Sequence, residues 1–350
     1  MSLAVTGIGV VSPAGIGREA FFRAVTDDAR AKYRFNAPDF SLEEYLENTK
    51  VFRRASNATK YVLAAISLAL ADAGRGTAIE GPEKMGLVVC LTHGSIVYSS
   101  MFNKNLLLEG PSGASPLFFT ESVLNASAGT SAIAFGIKGP VHTLIGDQPV
   151  AMQAIGLAEM LLRFGGLERC IVAGTEEWSD IVEDAYRLSD RAGRLRGTVS
   201  DAPAPLGEGA AALVLENGDA HGHGGQKPRA LIGAVSVRRC SEDSRSDEVD
   251  EGIRRALRLS ALSREQIGHI ILPVGRHRKY VEQGAAAALG PRWKAVPHID
   301  VAKCVGDTFG VSGLLQVAVS AEWISSGRSE GVGLVLSGGD GGCFSLALMA

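Results

Sequence analysis

Short apolar runs alternate with longer amphipathic segments along this chain of 350 residues. Residues 3–11, LAVTGIGVV, form a β-branched apolar run bounded by turn formers, the pattern of a buried strand. TKYVLAAISLALADAG (59–74) reads as a core helix that stops at Gly74. GLVVCL (86–91) predicts the next strand. Strand-like runs then recur as CIVAG (170–174), AALVLE (211–216), ALIGAVSV (230–237), HIILPV (269–274) and VGLVLSGG (332–339). Strands that alternate with helices imply largely parallel sheets covered on both faces.

The stretch GPVHTLIGDQPVAMQAIGLAEMLL (139–162) has the shape of a strand, a turn and a buried helix. Val150, Ala154, Ala158 and Leu161 recur at helical spacing over 150–164, and Pro149 suits the first turn. In many enzymes such a turn holds a nucleophile. Here it holds Gly146, Asp147 and Gln148, none of which is a good one. The most linker-like segment is NGDAHGHGGQKPRA (217–230), rich in glycine and polar residues. It divides the chain into an N-terminal part, 1–217, and a shorter C-terminal part, 228–350. His221 and His223 within it read as residues of a solvated loop rather than metal ligands.

Composition narrows the function. At 46% hydrophobic and 21% charged residues the chain suits a packed globular protein. Aromatics are only 6% and glycines number 43, so the core is expected to be aliphatic. A formal net charge of −3 gives no reason to expect nucleic acid or an anionic membrane as partner. Cys90, Cys170, Cys240, Cys304 and Cys343 stand singly, without zinc spacing or a disulfide framework, so no metal or organic cofactor is implied. The opening MSLAVTGIGVVSPAG lacks the basic stretch and long apolar run of a signal peptide, and no run reaches membrane-spanning length. A cytoplasmic protein with reduced thiols is the expectation.

Five motifs occur in an order that resembles the β-ketoacyl synthases of the thiolase fold. VTGIGVVSPAG is similar to the family's first strand and loop, and FRRASNATKYVLAAISLALADAG (52–74) to its basic turn and first long helix. Gly139–Pro140 precedes the position of the nucleophile strand. GEGAAALVLE (207–216) matches the glycine–glutamate–glycine signature, and SGGDGGCFSLAL (337–348) resembles the glycine-rich final hairpin. The resemblance covers nearly the whole chain. It implies an α/β protein with two related βαβαβαβ-type halves, whose central mixed sheets pack in layers around buried helices.

Members of that family join acyl chains by decarboxylative Claisen condensation. The resemblance implies a cysteine at a helix N-terminus, where the dipole and nearby donors favour thiolate, and two histidines that promote decarboxylation. In this sequence the cysteine's position falls at Gln148. The first histidine's position falls at Val274, in LPVGRHR, with His277 close by. The second falls at Asp307, in AKCVGDTFGVSGLLQV, where the stretch is one residue shorter than the family pattern and the lysine is Lys303. The gating aromatic falls at Asp340. A carboxamide cannot accept an acyl group but can fill the space and satisfy a helix end. Four departures at four places imply that the condensing site is gone.

A glutamine-for-cysteine partner resembles the chain length factor of type II polyketide synthases. That resemblance implies a heterodimer with an active ketosynthase, with Gln148 at the interface. It also implies contact with the acyl carrier protein through the complex and a growing polyketide or polyene chain in a shared tunnel. Phe118, Phe119, Thr120, Glu121 and Ser122, within SGASPLFFTESVLNASAG (112–129), are the candidates for the tunnel wall. Glu121 is out of place among apolar neighbours and is expected to face a partner or water. Three alternatives stand beside this reading. One is a glutamine-type malonyl-carrier-protein decarboxylase, and one an inactive homodimeric scaffold. The third is unrelated acid–base chemistry by Asp307, Asp340 and Lys303.

Overall fold

The protein is described by a computed structural model over residues 2–27, 36–47, 49–76, 81–195, 204–218, 227–240, 245–275, 278–339 and 342–350. His221, His223, His277 and Asp340 lie outside the described residues. Its strands are β1 (Leu3–Ser12), β2 (Gly15–Ile16), β3 (Met85–Leu91), β4 (Val141–Ile145), β5 (Arg169–Glu176) and β6 (Gly209–Asn217), followed by β7 (Ala230–Arg239), β8 (Ile267–Ile271), β9 (His298–Ile299), β10 (Val332–Gly338) and β11 (Cys343–Met349). They form one hydrogen-bonded sheet in the order β4-β3-β5-β6-β1-β7-β11-β10-β8-β9, with β2 paired to β1.

The sheet is mixed rather than largely parallel. Parallel pairing is confined to β3 with β4 and β5, and to β8 with β9 and β10. The remaining ladders are antiparallel. At β10 and β11 the glycine-rich turn is too short for the crossover that a parallel pair needs. The chain's two ends of the sheet meet where Leu3, Ala4 and Val5 pair with Ile232, Leu231 and Ala230.

Helices cover this sheet in layers. The Asn57–Asp72 helix packs on one face of β1, β5 and β6. The Val150–Phe164 and Ser312–Ser325 helices touch each other and strands of both ends of the sheet, so they form the buried middle layer. The Arg245–Leu259 and Arg278–Leu289 helices close the far side over β7, β8, β10 and β11.

Local sequence explains the contacts. Ser56 caps the Asn57–Asp72 helix by accepting the Thr59 N–H at 3.2 Å. The helix stops two residues before Gly74, whose φ of 67° allows the Gly74 and Arg75 N–H groups to close on Ala71 and Leu70. All ten residues of β1 are buried. A Cβ at Gly7 or Gly9 would lie 2.1 or 1.9 Å from the carbonyl oxygens of Ala69 and Ala65, so only glycine lets this helix settle on β1.

The run HIILPV yields a strand that ends earlier than its apolar character suggests. β8 stops at Ile271, because Pro273 has no N–H to extend the ladder. His269 within it is fully buried between the hydroxyls of Ser320 and Ser329, each 2.9 Å away, and burial pushes its pKa down to about 4.

Candidate functional site

The turn at Gly146–Gln148 follows β4 and leads directly into the Val150–Phe164 helix. Pro149 carries helical backbone angles there, φ −64° and ψ −14°, as its position in the first turn requires. Gly146 is tied to β3 from both sides: its N–H donates to the Leu91 carbonyl at 3.1 Å, and its carbonyl accepts the Thr92 hydroxyl at 2.6 Å. Gln148 therefore points inward at the buried helix end, with only 1% of its surface exposed.

Three of the positions named from sequence converge here. Gln148 Nε2 donates to Asp307 Oδ2 at 2.9 Å. The other carboxylate oxygen of Asp307 accepts the Phe309 N–H at 2.9 Å. Asp307 itself is held by an N–H bond to the Pro205 carbonyl and by the Gly207 N–H on its own carbonyl, 2.8 Å each. Val274, also buried, immediately precedes Gly275. The backbone at Gly275, φ 104°, runs so close that a Cβ would sit 3.1 Å from Gln148 Nε2. Gln148 Oε1 has no hydrogen-bond partner among the described residues. Lys303 is exposed on the Ala302–Val305 turn of helix. Asp147, one residue before Gln148, lies against Gly339, where a Cβ would fall 2.2 Å from its carboxylate.

An aromatic cluster that the sequence reading did not find borders the same loop. Phe309 is buried and is one of two described non-glycine residues with positive φ, 48°. Its ring lies 4.6 Å from the His93 ring, nearly edge-on, and 5.0 Å from that of Tyr186 on the Asp180–Leu195 helix. Burial pushes the His93 pKa down to about 4, so its imidazole is neutral near pH 7. Beneath it, Glu176 at the end of β5 accepts the N–H groups of Thr92, His93 and Gly94. Burial pushes the Glu176 pKa up to about 8 against the opposing pull of those donors. The adjacent pair of glutamates in GTEEWS (174–179) was the available signal.

The remaining named residues sit apart. Phe118, Phe119, Thr120, Glu121 and Ser122 form the Pro116–Ser122 helix with Pro116 and Leu117. Phe118 packs edge-on against Tyr98, ring centres 5.7 Å apart, and Phe119 is 54% exposed beside Phe102. Thr120 and Ser122 close local bonds to the carbonyls of Leu117 and Phe119. Glu121 turns inward, against expectation. Its carboxylate accepts the Ser56 N–H and the Thr59 hydroxyl, 3.0 Å each, and so caps the Asn57–Asp72 helix. The reason is the cluster of unsatisfied donors at that buried helix end. Glu208, the acid of the GEG motif, is likewise structural: it accepts the Ala37 and Trp178 N–H groups and the Tyr61 hydroxyl.

Chemically, the turn offers a neutral amide bound to a carboxylate whose two oxygens are both already acceptors. No acyl group can be carried on Gln148. All five cysteines are free, and Cys90 and Cys170 are fully buried with thiols pushed up by burial, to about 12 for Cys170. Among the described residues no group of three His, Cys, Asp or Glu side chains is placed to hold a metal ion, and no helix is long and apolar enough to cross a membrane.

Known proteins place this architecture. Residues 2–221 match the β-ketoacyl synthase N-terminal domain. The chain is 27% identical to a Streptomyces halstedii protein described as a polyketide β-ketoacyl synthase 2, over 90% of this chain and 83% of that one. It is 23% identical to the 3-oxoacyl-[acyl-carrier-protein] synthase 2 of Vibrio cholerae over 76% of this chain and 71% of that one. Among solved structures, the ishigamide ketosynthase/chain length factor superposes with a TM-score of 0.81 at 22% identity, covering 100% of this chain and 99% of that one. A Burkholderia phymatum β-ketoacyl synthase gives the same TM-score at 18% identity, over 99% and 98% of the two chains. The fold is thiolase-like, and the chain belongs to the β-ketoacyl synthase family.

Proposed function

We propose that this chain is a non-catalytic, ketosynthase-like subunit that pairs with an active ketosynthase and helps set the length of a polyketide or polyene chain, in the manner of a chain length factor. The observation that carries the reading is the buried Gln148–Asp307 hydrogen bond. It occupies the positions at which a condensing enzyme of this family would have its cysteine and one of its histidines. The similarity to polyketide β-ketoacyl synthases and to a ketosynthase/chain length factor structure supports the same reading.

The free edge of the sheet supports the pairing. Among the described strands β4 pairs only with β3, and its Val141 and Ile145 are 38% and 56% exposed. Ile133, Met160 and Phe164, on the two helices that pack against β4, are also exposed. An open strand flanked by apolar side chains is a template for another chain. The acyl carrier protein then meets the assembled pair, and the growing chain extends along the shared interface past the Pro116–Ser122 helix. Five free thiols suit a reducing, cytoplasmic setting.

Co-expression with an active ketosynthase of a type II polyketide synthase, size-exclusion chromatography and a malonyl-carrier assay on each species test the proposal. The expected result is a one-to-one complex that elongates chains, with this subunit inert alone. A stable homodimer that releases acetyl-carrier from malonyl-carrier would instead make the Gln148 turn a decarboxylase site. A stable, inert homodimer that ignores the ketosynthase would make the chain a scaffold.

A further inference from the structure

The Asp180–Leu195 helix carries apolar residues on two faces rather than one. Val182, Tyr186 and Asp190 follow one another at four-residue spacing and turn toward the body. Val182 and Asp190 are buried, and the Tyr186 ring meets those of Phe309 and His93. A helix seated on a core needs only that one stripe, with polar residues on the side away from it. Here Ile181, Ala185, Leu188 and Ala192 form a second line, at successive spacings of four, three and four. All four are exposed, Ile181 at 50% and Leu188 at 63%. Trp178, two residues before the helix, is 38% exposed as well.

Alternating spacings of three and four make the seam of a helix pair. The charges beside the seam choose the partner and its direction. Asp184 and Arg191 lie on one edge of it, each a single residue before an alanine of the seam. In a parallel pair of identical helices that edge would face the edge holding Val182 and Ser189, which carry no charge. In an antiparallel pair it faces itself. Asp184 of each copy then meets Arg191 of the other, twice across a two-fold axis. The same arrangement sets Ile181 against Ala192 and Leu188 against Ala185, so every layer joins a large side chain to a small one. Within its own helix Asp184 also holds Arg187, at 2.7 Å through Oδ1.

We infer that the Asp180–Leu195 helix is a self-association surface, occupied by the same helix of a second copy of this chain in antiparallel orientation. It is a different element from the β4 edge, so it joins two ketosynthase-bound chains into a two-plus-two assembly and keeps the one-to-one ratio. The inference does not rest on the chain-length reading, because both sides of this contact belong to this chain. A single helix pair is a small interface, under about 1,200 Å2, and its exposed ion pairs set direction more than strength. The association is therefore weak and concentration-dependent.

Sedimentation equilibrium of the full chain, alone and mixed with an active ketosynthase, tests this across a wide concentration range. The number of copies of this chain per particle is expected to rise from one to two as concentration rises. Leu188→Glu, at an exposed side chain, abolishes that rise and leaves the melting temperature unchanged. Asp184→Arg and Arg191→Asp each lose it too, because like charges then oppose one another across the seam. An equimolar mixture of those two variants regains it, with one copy of each. Ile145→Lys, at the β4 edge, leaves it intact, so failure of ketosynthase pairing and failure of this inference are read by different variants. Particles that never reach two copies, or a rise that survives Leu188→Glu, would overturn the inference. A charge-swapped mixture that stays dissociated would overturn the antiparallel pairing, and capture of a different protein by this helix in place of self-association would overturn the second copy as its occupant.

Discussion

Gln148 and Asp307 are 159 residues apart in the chain, yet each supplies what the other lacks: an amide donor and a carboxylate acceptor inside a protein interior. Removing the donor strands a buried oxygen, which costs about 1–3 kcal/mol. Gln148→Ala is therefore expected to lower the melting temperature of the assembled pair while leaving its condensation rate within about a factor of two, as the proposed non-catalytic role requires. Calorimetry and turnover of the same preparation check this. Near-total loss of condensation with normal assembly would place chemistry at the turn. Each of the two positions could be aligned from sequence through its flanking glycines and prolines. Their hydrogen bond could not, and neither could the edge-on contact of Phe309 with His93, because nothing in either local pattern refers to the other.

Elements were more legible than contacts. β1, β3, the Asn57–Asp72 helix and the Val150–Phe164 helix all lie where their apolar runs place them, because each is buried and its periodicity is set by that burial. The Ile96–Glu109 and Pro116–Ser122 helices were not legible: their apolar residues face several directions, and many remain exposed. Glu121 shows why composition misleads there. Read by neighbours it belongs at a surface, whereas in the fold it reaches, together with Glu177, the open end of a buried helix. If the Pro116–Ser122 helix lines the channel, Phe118→Ala and Phe119→Ala each lengthen the product by opening space beside it. Product mass from the reconstituted pair is the measurement, and unchanged lengths in both variants would move the lining elsewhere.

At the scale of the whole molecule, one sheet joins the segment before residue 217 to the segment after 230 through the short β1–β7 ladder. An ion network strengthens that seam. Asp72 accepts Arg18 and Arg229, and Glu322 also accepts Arg18. Among the described strands, β4 and β9 are the two ends of the sheet, and β4 is the longer of them. A charge placed there should act on association and not on folding, so Ile145→Lys is expected to weaken pairing with the ketosynthase at least about tenfold, or ~1.4 kcal/mol, without lowering the subunit's own melting temperature. Sedimentation of mixed subunits reads the first quantity. Unchanged affinity would mean that the partner docks elsewhere.

On the proposed reading, the Gln148–Asp307 pair also makes a nucleophile hard to install at this turn. A cysteine placed at position 148 would face the Asp307 carboxylate, and a nearby negative charge opposes formation of the thiolate. Val274 has no donor with which to help. The helix end would still favour an anion, but not beside one already seated. A working nucleophile at this turn therefore demands a change at position 307 as well as at position 148, because the hydrogen bond that seats one side chain fixes the charge beside the other.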